Sequence, residues 1–286
     1  MILKEMLKLE FRKALRNKSF YISLIIGCII TMFSLVYNIE IYQNEIMLIQ
    51  GVCLNPMYGV LSLINRWIGG EPFSFGSSAY FFVFPLLVAI PYGWSYCEEK
   101  QSGYTRLVTV YSGKKAYFLA KYAAVFLSGA LAMVLPLVFN FLVSALFFPA
   151  VTPSPLYCTS NGVFYGSLMS MLYYSAPFLY VFFYLCIDFV FGGLIACLSY
   201  SVSCIVKYKV IVVILPLFLL LAFHYLRQFI YTSPEVHHYK EISPLFFLRP
   251  VQIVYHTSWT VILIGAAILF LITFLSIIWE YRHEIY

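Results

Sequence analysis

Residues 260–279 read TVILIGAAILFLITFLSIIW, a run of twenty residues without a charged side chain. As a helix, such a run is about 30 Å long, which matches the hydrocarbon core of a membrane. Five other stretches are comparably apolar. The six predicted spans run from Phe20 to Tyr37, Ser78 to Tyr96, Tyr122 to Phe148, Pro177 to Cys204, Val210 to Leu226 and Thr260 to Trp279. Their apolarity is continuous and does not alternate, so the sequence predicts an all-α membrane protein with six transmembrane helices.

The composition of the whole chain also indicates a lipid environment. Of its 286 residues, 62% are hydrophobic and 10% are charged, which leaves too little polar surface to cover a soluble globule. In a soluble protein the formal net charge of +6 would suggest nucleic acid as a ligand. Here the Lys and Arg side chains adjoin apolar spans, so we expect them to face anionic lipid headgroups or a partner protein, and no nucleic acid. Without a repeat or a linker, residues 1–286 are interpreted as one membrane domain.

Positive charge is distributed unevenly over the segments between the spans. Lys and Arg beside a span are retained in the cytoplasm. If both termini are cytoplasmic, only four of the 18 basic residues fall in outer loops. These four are Arg66, Arg227, Lys240 and Arg249. The sequence therefore predicts a multi-pass protein of the cell membrane with its N and C termini inside.

Residues 1–18 predict an amphipathic helix ahead of the first span. At 100° per residue, one arc collects Leu9, Ile2, Met6, Leu3, Ala14 and Leu7, and the opposite arc collects Lys4, Lys8, Arg12, Glu5 and Arg16. Glu10 and Lys13 interrupt the apolar arc. We expect this helix to lie in the headgroup plane with its basic face toward anionic lipid. A merely basic tail before a span is the alternative.

The segment between the second and third spans, residues 97–121, combines charge with large apolar side chains. It opens on Glu98 and Glu99 and places Leu107, Val108 and Val110 between polar residues. Its basic residues are Lys100, Arg106, Lys114, Lys115 and Lys121. Because a simple connector gains nothing from large apolar side chains just outside lipid, the pattern predicts a contact surface on the cytoplasmic side. An ordinary positive-inside connector is the alternative.

The order of these features resembles the permease subunits of type-2 ATP-binding-cassette (ABC) transporters. The resemblance includes the amphipathic N-terminal helix, six spans with both ends inside, the loop after the second span, and a proline-containing stretch, Ile242–Leu248, in the outer segment 227–259. It implies an element that docks on a separate ATPase, formed here by Glu98, Glu99, Gly103, Arg106, Leu107, Val108 and Val110. It also implies a second permease chain, identical or a paralogue, because two permease domains enclose the path in this family.

The sequence contains no nucleotide-binding loop of the form G-x-x-x-x-G-K-[ST]. Gly113-Lys114 lacks both the upstream glycine and the following hydroxyl residue. We therefore expect no cofactor and no enzymatic activity in this chain, with ATP and Mg²⁺ on the partner ATPase. Adjacent histidine rings cannot easily point at one ion in a regular helix or strand, so the outer histidines are interpreted as solvated or interfacial rather than as metal ligands. They are His224, His237, His238 and His256.

Asp188, the only aspartate, falls inside the fourth span. An ionisable side chain is costly there and usually faces the bundle interior or water. It is interpreted either as a polar point on a transport path or at a dimer seam, or as a residue hydrogen-bonded to a neighbouring Tyr or Ser. Cys53 and Cys158 are the two cysteines expected in outer loops. A disulfide between them requires their Cα atoms to approach within roughly 4.4–6.8 Å.

The sequence thus predicts the permease subunit of an ATP-driven exporter of an amphiphile, which could be lipid-linked, peptide or drug-like. Apart from Asp188 the spans hold no charged residue, which argues against an ion or proton relay. A non-transporting membrane sensor or scaffold of the cell envelope is the alternative from another class. An intramembrane enzyme fits least well, because no catalytic constellation with a required spacing is found. The spans indicate no chemical class of substrate.

Overall fold

The computed structural model describes residues 2–52, 62–231, 239–251 and 255–283. Within these ranges every regular element is helical, apart from an isolated bridge between Lys240 and His256. The α-helices are α1 (Ile2–Arg16), α2 (Lys18–Val52), α3 (Leu63–Arg66), α4 (Phe75–Ala89), α5 (Ser95–Gln101), α6 (Tyr104–Ser112), α7 (Lys114–Ser144), α8 (Cys158–Asn161), α9 (Ser170–Ser175), α10 (Pro177–Ile205), α11 (Lys209–Ile230), α12 (Pro244–Phe247) and α13 (Trp259–His283). A short 3-10 helix spans Pro155–Tyr157.

Five of the described helices are long and apolar enough to cross a membrane. These stretches are Lys18–Met47 in α2, Lys114–Ser144, Pro177–Ile205, Lys209–Arg227 in α11, and Trp259–His283. They coincide with the first, third, fourth, fifth and sixth predicted spans. The prediction of an all-α protein is thus confirmed for the described residues, and several of its helices are able to span a membrane. Their outward faces carry Ile, Leu and Phe side chains, which is the surface expected toward lipid.

The second predicted span, Ser78–Tyr96, is not one long helix. α4 ends at Ala89 after 15 residues, and a turn at residues 90–94 separates it from α5. A helix of 15 residues is about 22 Å long, which is shorter than a hydrocarbon core. Pro91 lies in the turn, where it removes a backbone donor and its ring opposes a continuous helix. The predicted count of six spans is therefore not confirmed.

Residues 97–121 comprise the end of α5, all of α6 and the start of α7. α5 and α6 are separated by Gly103, and α6 and α7 by Gly113. The φ angles of these glycines are 73° and 77°, a region that a residue with a Cβ atom enters only with strain. α6 is consequently a short helix between two sharp turns. α7 begins at Lys114, well before the expected start of the third span at Tyr122.

α10 is the central helix of the bundle. About two thirds of its most apolar stretch is buried, 67% against 17% for α13 at the periphery. α10 packs most extensively on α7, where glycines bring the two backbones together. A Cβ atom on Gly129 of α7 would lie 2.2 Å from the Cβ of Ala196, and one on Gly192 would lie 2.8 Å from the Cβ of Met133. Small residues thus permit the close approach that helix packing inside a membrane requires.

Candidate functional site

α6 exposes an apolar face. Leu107, Val110 and Tyr111 lie on one side of the helix at positions i, i+3 and i+4, and their exposed fractions are 65%, 82% and 86%. Val108, which the sequence analysis grouped with Leu107 and Val110, points the other way and packs against the main core. Thr105 is buried on that same inner side. With 3.6 residues per helical turn, Val108 faces inward and Tyr111 lies beside Leu107. Tyr111 therefore takes the place that was predicted for Val108 on the exposed face.

The other residues predicted for docking divide between the surface and the interior. Arg106 is exposed next to Leu107, and Gly103 forms the turn before α6. Glu98 is about half exposed, and its Oε1 lies 2.8 Å from Nζ of Lys209 at the start of α11. Glu99 is largely buried. Glu99 therefore faces the protein interior rather than a partner.

Glu99 belongs to a closed ring of four charges. Lys121 Nζ lies 2.9 Å from Glu99 Oε2 and 3.2 Å from Glu10 Oε2. Lys13 Nζ lies 3.3 Å from Glu10 Oε1 and 3.3 Å from Glu99 Oε1. Glu10 and Lys121 have no exposed surface. We call Glu10, Lys13, Glu99 and Lys121 the charge ring. Two positive and two negative side chains alternate around it, so its formal charges cancel.

Three tyrosines complete the hydrogen bonds of the charge ring. The Tyr92 hydroxyl donates to Glu10 Oε2 at 2.8 Å and accepts from Lys121 Nζ at 3.1 Å. The Tyr117 hydroxyl donates to Glu99 Oε2 at 2.6 Å. Tyr104, the first residue of α6, accepts from Lys13 Nζ at 2.9 Å, and the ammonium lies 4.2 Å from the centre of its ring. Buried charges persist only when they are paired and hydrogen-bonded in this way.

The charges of the ring alter the pKa of its two more accessible members. Burial by itself raises the pKa of Glu99, but the charge and hydrogen bond of Lys121 outweigh burial and leave the pKa below its ordinary range. Burial by itself lowers the pKa of Lys13, but the hydrogen bond to Tyr104 and the charges of Glu10 and Glu99 raise the pKa above its ordinary value. Both side chains are thus held in their charged forms at neutral pH.

The charge ring joins α1 to the chain around α6. Glu10 and Lys13 come from α1, Glu99 from α5, and Lys121 from the second turn of α7. Met6 and Ala14 of the apolar arc are buried against the bundle, and α1 packs mainly on α7. The expected position of α1 in the headgroup plane, with its basic face toward anionic lipid, stays a prediction. The sequence contained a signal for the charge ring. Glu10 and Lys13 interrupt the apolar arc and therefore require charged partners, but the sequence alone does not identify those partners.

The basic cluster of residues 97–121 is also smaller than predicted. Lys121 is enclosed in the charge ring, and Lys100 forms an ion pair with Glu280 in the last turns of α13. The Tyr96 hydroxyl donates to the same Glu280 carboxylate at 2.8 Å. Arg106 and Lys115 remain exposed. Part of the basic cluster therefore forms ion pairs between helices, and only the rest is exposed on the protein surface.

Asp188 lies in the interior of the bundle. Its side chain is completely buried in α10, and neither carboxylate oxygen has a hydrogen-bond partner among the described residues. The predicted bond to a neighbouring Tyr is absent there, since the nearby Tyr80 hydroxyl donates to the Met133 carbonyl at 2.5 Å. Asp188 is thus an enclosed carboxyl group without a polar partner in the described part of the chain. Its roles on a transport path or at a dimer seam stay predictions.

The remaining predicted residues form no chemical site within the part of the chain that the structure describes. Cys158 begins α8 and is partly buried, whereas Cys53 lies outside the described residues, and so does their predicted pairing. His237 and His238 lie outside them as well. His256 Nδ1 is 3.3 Å from the Ser167 hydroxyl. Within the described ranges no group of three or more His, Cys, Asp or Glu side chains could hold a metal ion.

A scan of the sequence against protein-family models finds no match, and a search of curated proteins finds none either. A functional assignment therefore depends on the chain's own geometry and sequence pattern.

Proposed function

We propose that the chain is the membrane-spanning permease subunit of an ATP-driven ABC exporter, and that a separate ATPase docks on α6. The observation that carries the proposal is the exposed apolar face formed by Leu107, Val110 and Tyr111. We call these three residues the α6 face. The proposal also draws on the resemblance of the sequence to type-2 ABC permeases.

The α6 face is suited to a protein partner rather than to lipid. The same helix exposes Arg106, and Glu98 and Lys209 form an ion pair nearby on α5 and α11, so this region belongs outside the hydrocarbon core. Large apolar side chains exposed among charges commonly mark a protein interaction site. Each such side chain contributes roughly 1.5–3 kcal/mol when a partner buries it fully.

The charge ring connects such a docking element to the neighbouring helices α1 and α7. Tyr104 at the first position of α6 contacts Lys13 of α1, and Glu99 just before α6 contacts Lys121 of α7. A displacement of α6 by a partner would therefore act on α1 and α7 together. This coupling supports a role in transmitting the conformational change of an ATPase to the membrane helices.

Contacts between the chain ends support six crossings. α1 reaches α5 through Lys13 and Glu99, and α13 reaches α5 through Glu280 and Lys100. A chain whose two ends lie at one end of a bundle crosses that bundle an even number of times. We therefore count α4, the turn at residues 90–94 and the first residues of α5, up to Tyr96, together as the second of six crossings.

The same end of the bundle carries most of the positive charge, which makes it cytoplasmic by the positive-inside rule. In this proposal both termini are cytoplasmic, the chain resides in the cell membrane, and ATP with Mg²⁺ is bound by the partner ATPase. A second permease chain, identical or paralogous, completes the path. The cargo is an amphiphile that enters the path from the bilayer.

The test is co-purification with the ABC ATPase encoded next to this chain. The double substitution Leu107→Asp with Val110→Asp places charge on the α6 face and should release the ATPase while the permease remains inserted. Leu107→Met with Val110→Ile is the matched control, because it changes the same positions and keeps them apolar. Retention of the ATPase by the Asp variant at wild-type stoichiometry and hydrolysis rate would reject α6 as the docking element. If no such ATPase is encoded there, a membrane sensor or scaffold is favoured instead.

A further inference from the structure

Three basic side chains surround Phe246 where α11 and α12 contact each other. The His224 ring stacks on the Phe246 ring with 4.6 Å between centroids and 11° between planes. The guanidinium carbon of Arg249 lies 5.2 Å from the centre of the Phe246 ring, and that of Arg227 lies 5.7 Å from it. We call His224, Arg227, Phe246 and Arg249 the arginine cluster.

The arginine cluster lies far from α6. α11 starts at Lys209, which contacts Glu98 of α5, and His224 and Arg227 lie near the other end of that helix. A helix of 22 residues is about 33 Å long. The arginine cluster is therefore at the opposite end of the bundle, which is the outer end in the proposed orientation.

The two arginines differ in how their charge is balanced. Arg227 is buried and donates to both carboxylate oxygens of Glu241. Arg249 has no carboxylate within ion-pair distance among the described residues, and its Nε has no hydrogen-bond partner there. Burial lowers the pKa of Arg249, and the charge of Glu71 only partly opposes that effect. A partly buried guanidinium that contacts no anion is costly and would gain from an added one.

Glu71 is the carboxylate whose charge acts on Arg249, but the two side chains form no ion pair. Its oxygens accept the backbone N–H groups of Phe73 and Ser74, which holds the turn before α4. Nδ1 of His224 also lacks a hydrogen-bond partner in the described part of the chain. Arg249 and His224 thus both contact the Phe246 ring, and each has a buried nitrogen without a hydrogen-bond partner there.

The surroundings of Arg249 are apolar. Its guanidinium lies over the Phe81 ring of α4 at 5.4 Å as well as over Phe246. Phe246 is itself 39% exposed, while its neighbours Leu245 and Phe247 are buried and anchor α12. An anionic group joined to an alkyl chain would satisfy both features, since a guanidinium fork matches phosphate oxygens and the aromatic rings offer apolar contact.

We propose that the arginine cluster binds the phosphate headgroup of an amphiphile, with Arg249 as the principal ligand and His224 and Phe246 beside it. This inference rests on the proposed function and names the chemical class of its cargo. A phosphate monoester at the end of an alkyl chain is the simplest ligand of this class.

The test measures binding by the purified chain alone in dodecyl maltoside, without any ATPase. Dodecyl phosphate is titrated calorimetrically, and dodecylphosphocholine, which has the same chain but a choline-masked phosphate, is titrated in parallel. Wild-type protein should prefer dodecyl phosphate, and Arg249→Gln should weaken its binding roughly tenfold or more. Arg249→Lys keeps the positive charge but loses the planar guanidinium. Its affinity for dodecyl phosphate should therefore lie between those of wild type and Arg249→Gln. Arg282→Gln, which removes an exposed arginine from the last turn of α13, is the matched control and should bind as wild type.

Equal affinity of wild type and Arg249→Gln for dodecyl phosphate would overturn the proposal, as would a wild type without preference for phosphate over phosphocholine. The second comparison needs no variant, so it decides the matter even if Arg249→Gln misfolds. Because no ATPase is present, failure here with intact α6 docking rejects only the cargo class. Phosphate binding combined with no ATPase association would instead reject the exporter and keep the site.

Discussion

Lys121 of α7 lies 3.2 Å from Glu10 of α1, and neither side chain has any exposed surface. A buried ion pair adds little net stability over a well-packed apolar pair, but its loss is expensive because the remaining charge is stranded. Here the pair is part of the charge ring, which also includes Lys13 and Glu99. The ring therefore specifies how α1 sits against α5 and α7 more than it adds to stability.

Lys121→Met should destabilise the protein strongly. The substitution keeps an unbranched side chain of similar length but leaves Glu10 and Glu99 without their buried partner, at a cost of about 3–5 kcal/mol. The measurement is the thermal unfolding midpoint in detergent. Lys115→Met is the matched control, since Lys115 is exposed near the start of the same helix and its loss should change little. Equal midpoints for the two variants would mean that the loss of Lys121 strands no buried charge.

The destabilisation caused by Glu10→Gln and that caused by Lys121→Gln should not add. Each single substitution strands the other charge, whereas the double variant removes both, so a double-mutant cycle should give a coupling of about 0.5–3 kcal/mol. Unfolding midpoints and enthalpies of the four proteins provide the cycle. Strict additivity would mean that the two side chains do not interact in the membrane-embedded protein.

Acid should destabilise the protein through Glu99. A carboxyl group with a lower pKa in the folded state stabilises the fold above its unfolded pKa of about 4.3, and this contribution is lost as the pH falls through the folded pKa. Lys13 has a raised pKa, so its contribution is present below its unfolded pKa of about 10.4 and is lost as the pH rises through the folded value. Stability should therefore be level near neutral pH and fall toward both extremes.

The measurement of this pH dependence is the unfolding midpoint of wild type, Glu99→Gln and Glu98→Gln across the acid range. Glu99→Gln should lose part of the acid dependence, whereas Glu98→Gln, at an exposed position, should follow the wild-type curve. An acid transition of unchanged size in Glu99→Gln would assign the dependence to other carboxyl groups.

Gly113→Ala should weaken the junction of α6 and α7. No atom lies within 4 Å of the position that its Cβ would occupy, so the cost is backbone strain at a φ of 77°, about 1–3 kcal/mol. Gly265→Ala in α13 is the control, because its added Cβ would meet Phe191 at an ordinary 3.7 Å and its φ is not positive. A lower unfolding midpoint and faster proteolysis between α6 and α7 are expected for Gly113→Ala alone.

Asp188→Asn should retain insertion and the wild-type unfolding midpoint, because neither carboxylate oxygen has a partner in the described structure to lose. If Asp188 is a polar point on the proposed path, the same variant should lower cargo-stimulated ATPase activity of the assembled transporter. Ser199→Ala is the control on α10, since its buried hydroxyl also lacks a partner. Wild-type stimulation in Asp188→Asn would leave the residue without a role in transport.

Membrane insertion and helical class follow from features that a sequence displays locally. The transfer of a twenty-residue run such as 260–279 into lipid depends on its composition and length, and a helix satisfies its own backbone hydrogen bonds. The break in the second span was harder to predict. Pro85 and Pro91 both opposed a regular helix in the sequence, yet Pro85 lies inside α4 while the chain turns at Pro91.

The candidate docking surface was predictable in position but not in detail. Residues 97–121 carry its composition, and Gly103 and Gly113 mark its turns. Whether Val108 or Tyr111 belongs to the exposed face depends on the rotational phase of α6, which its packing on α1, α5 and α7 sets. The sequence alone placed Val108 on the exposed face, because the ends of α6 cannot be read from the sequence.

The sequence alone determined that this protein has long apolar helices for a lipid environment and a charged, partly apolar segment between two of them. Only the tertiary structure decided that Glu10 and Lys121, distant in sequence, form one buried pair, that Asp188 is enclosed, and that Arg249 forms no ion pair among the described residues. The physical reason is that hydrophobic transfer adds up along the chain, whereas the pairing of charges depends on distances of a few ångström between helices. Those distances are set by the packing of the whole bundle.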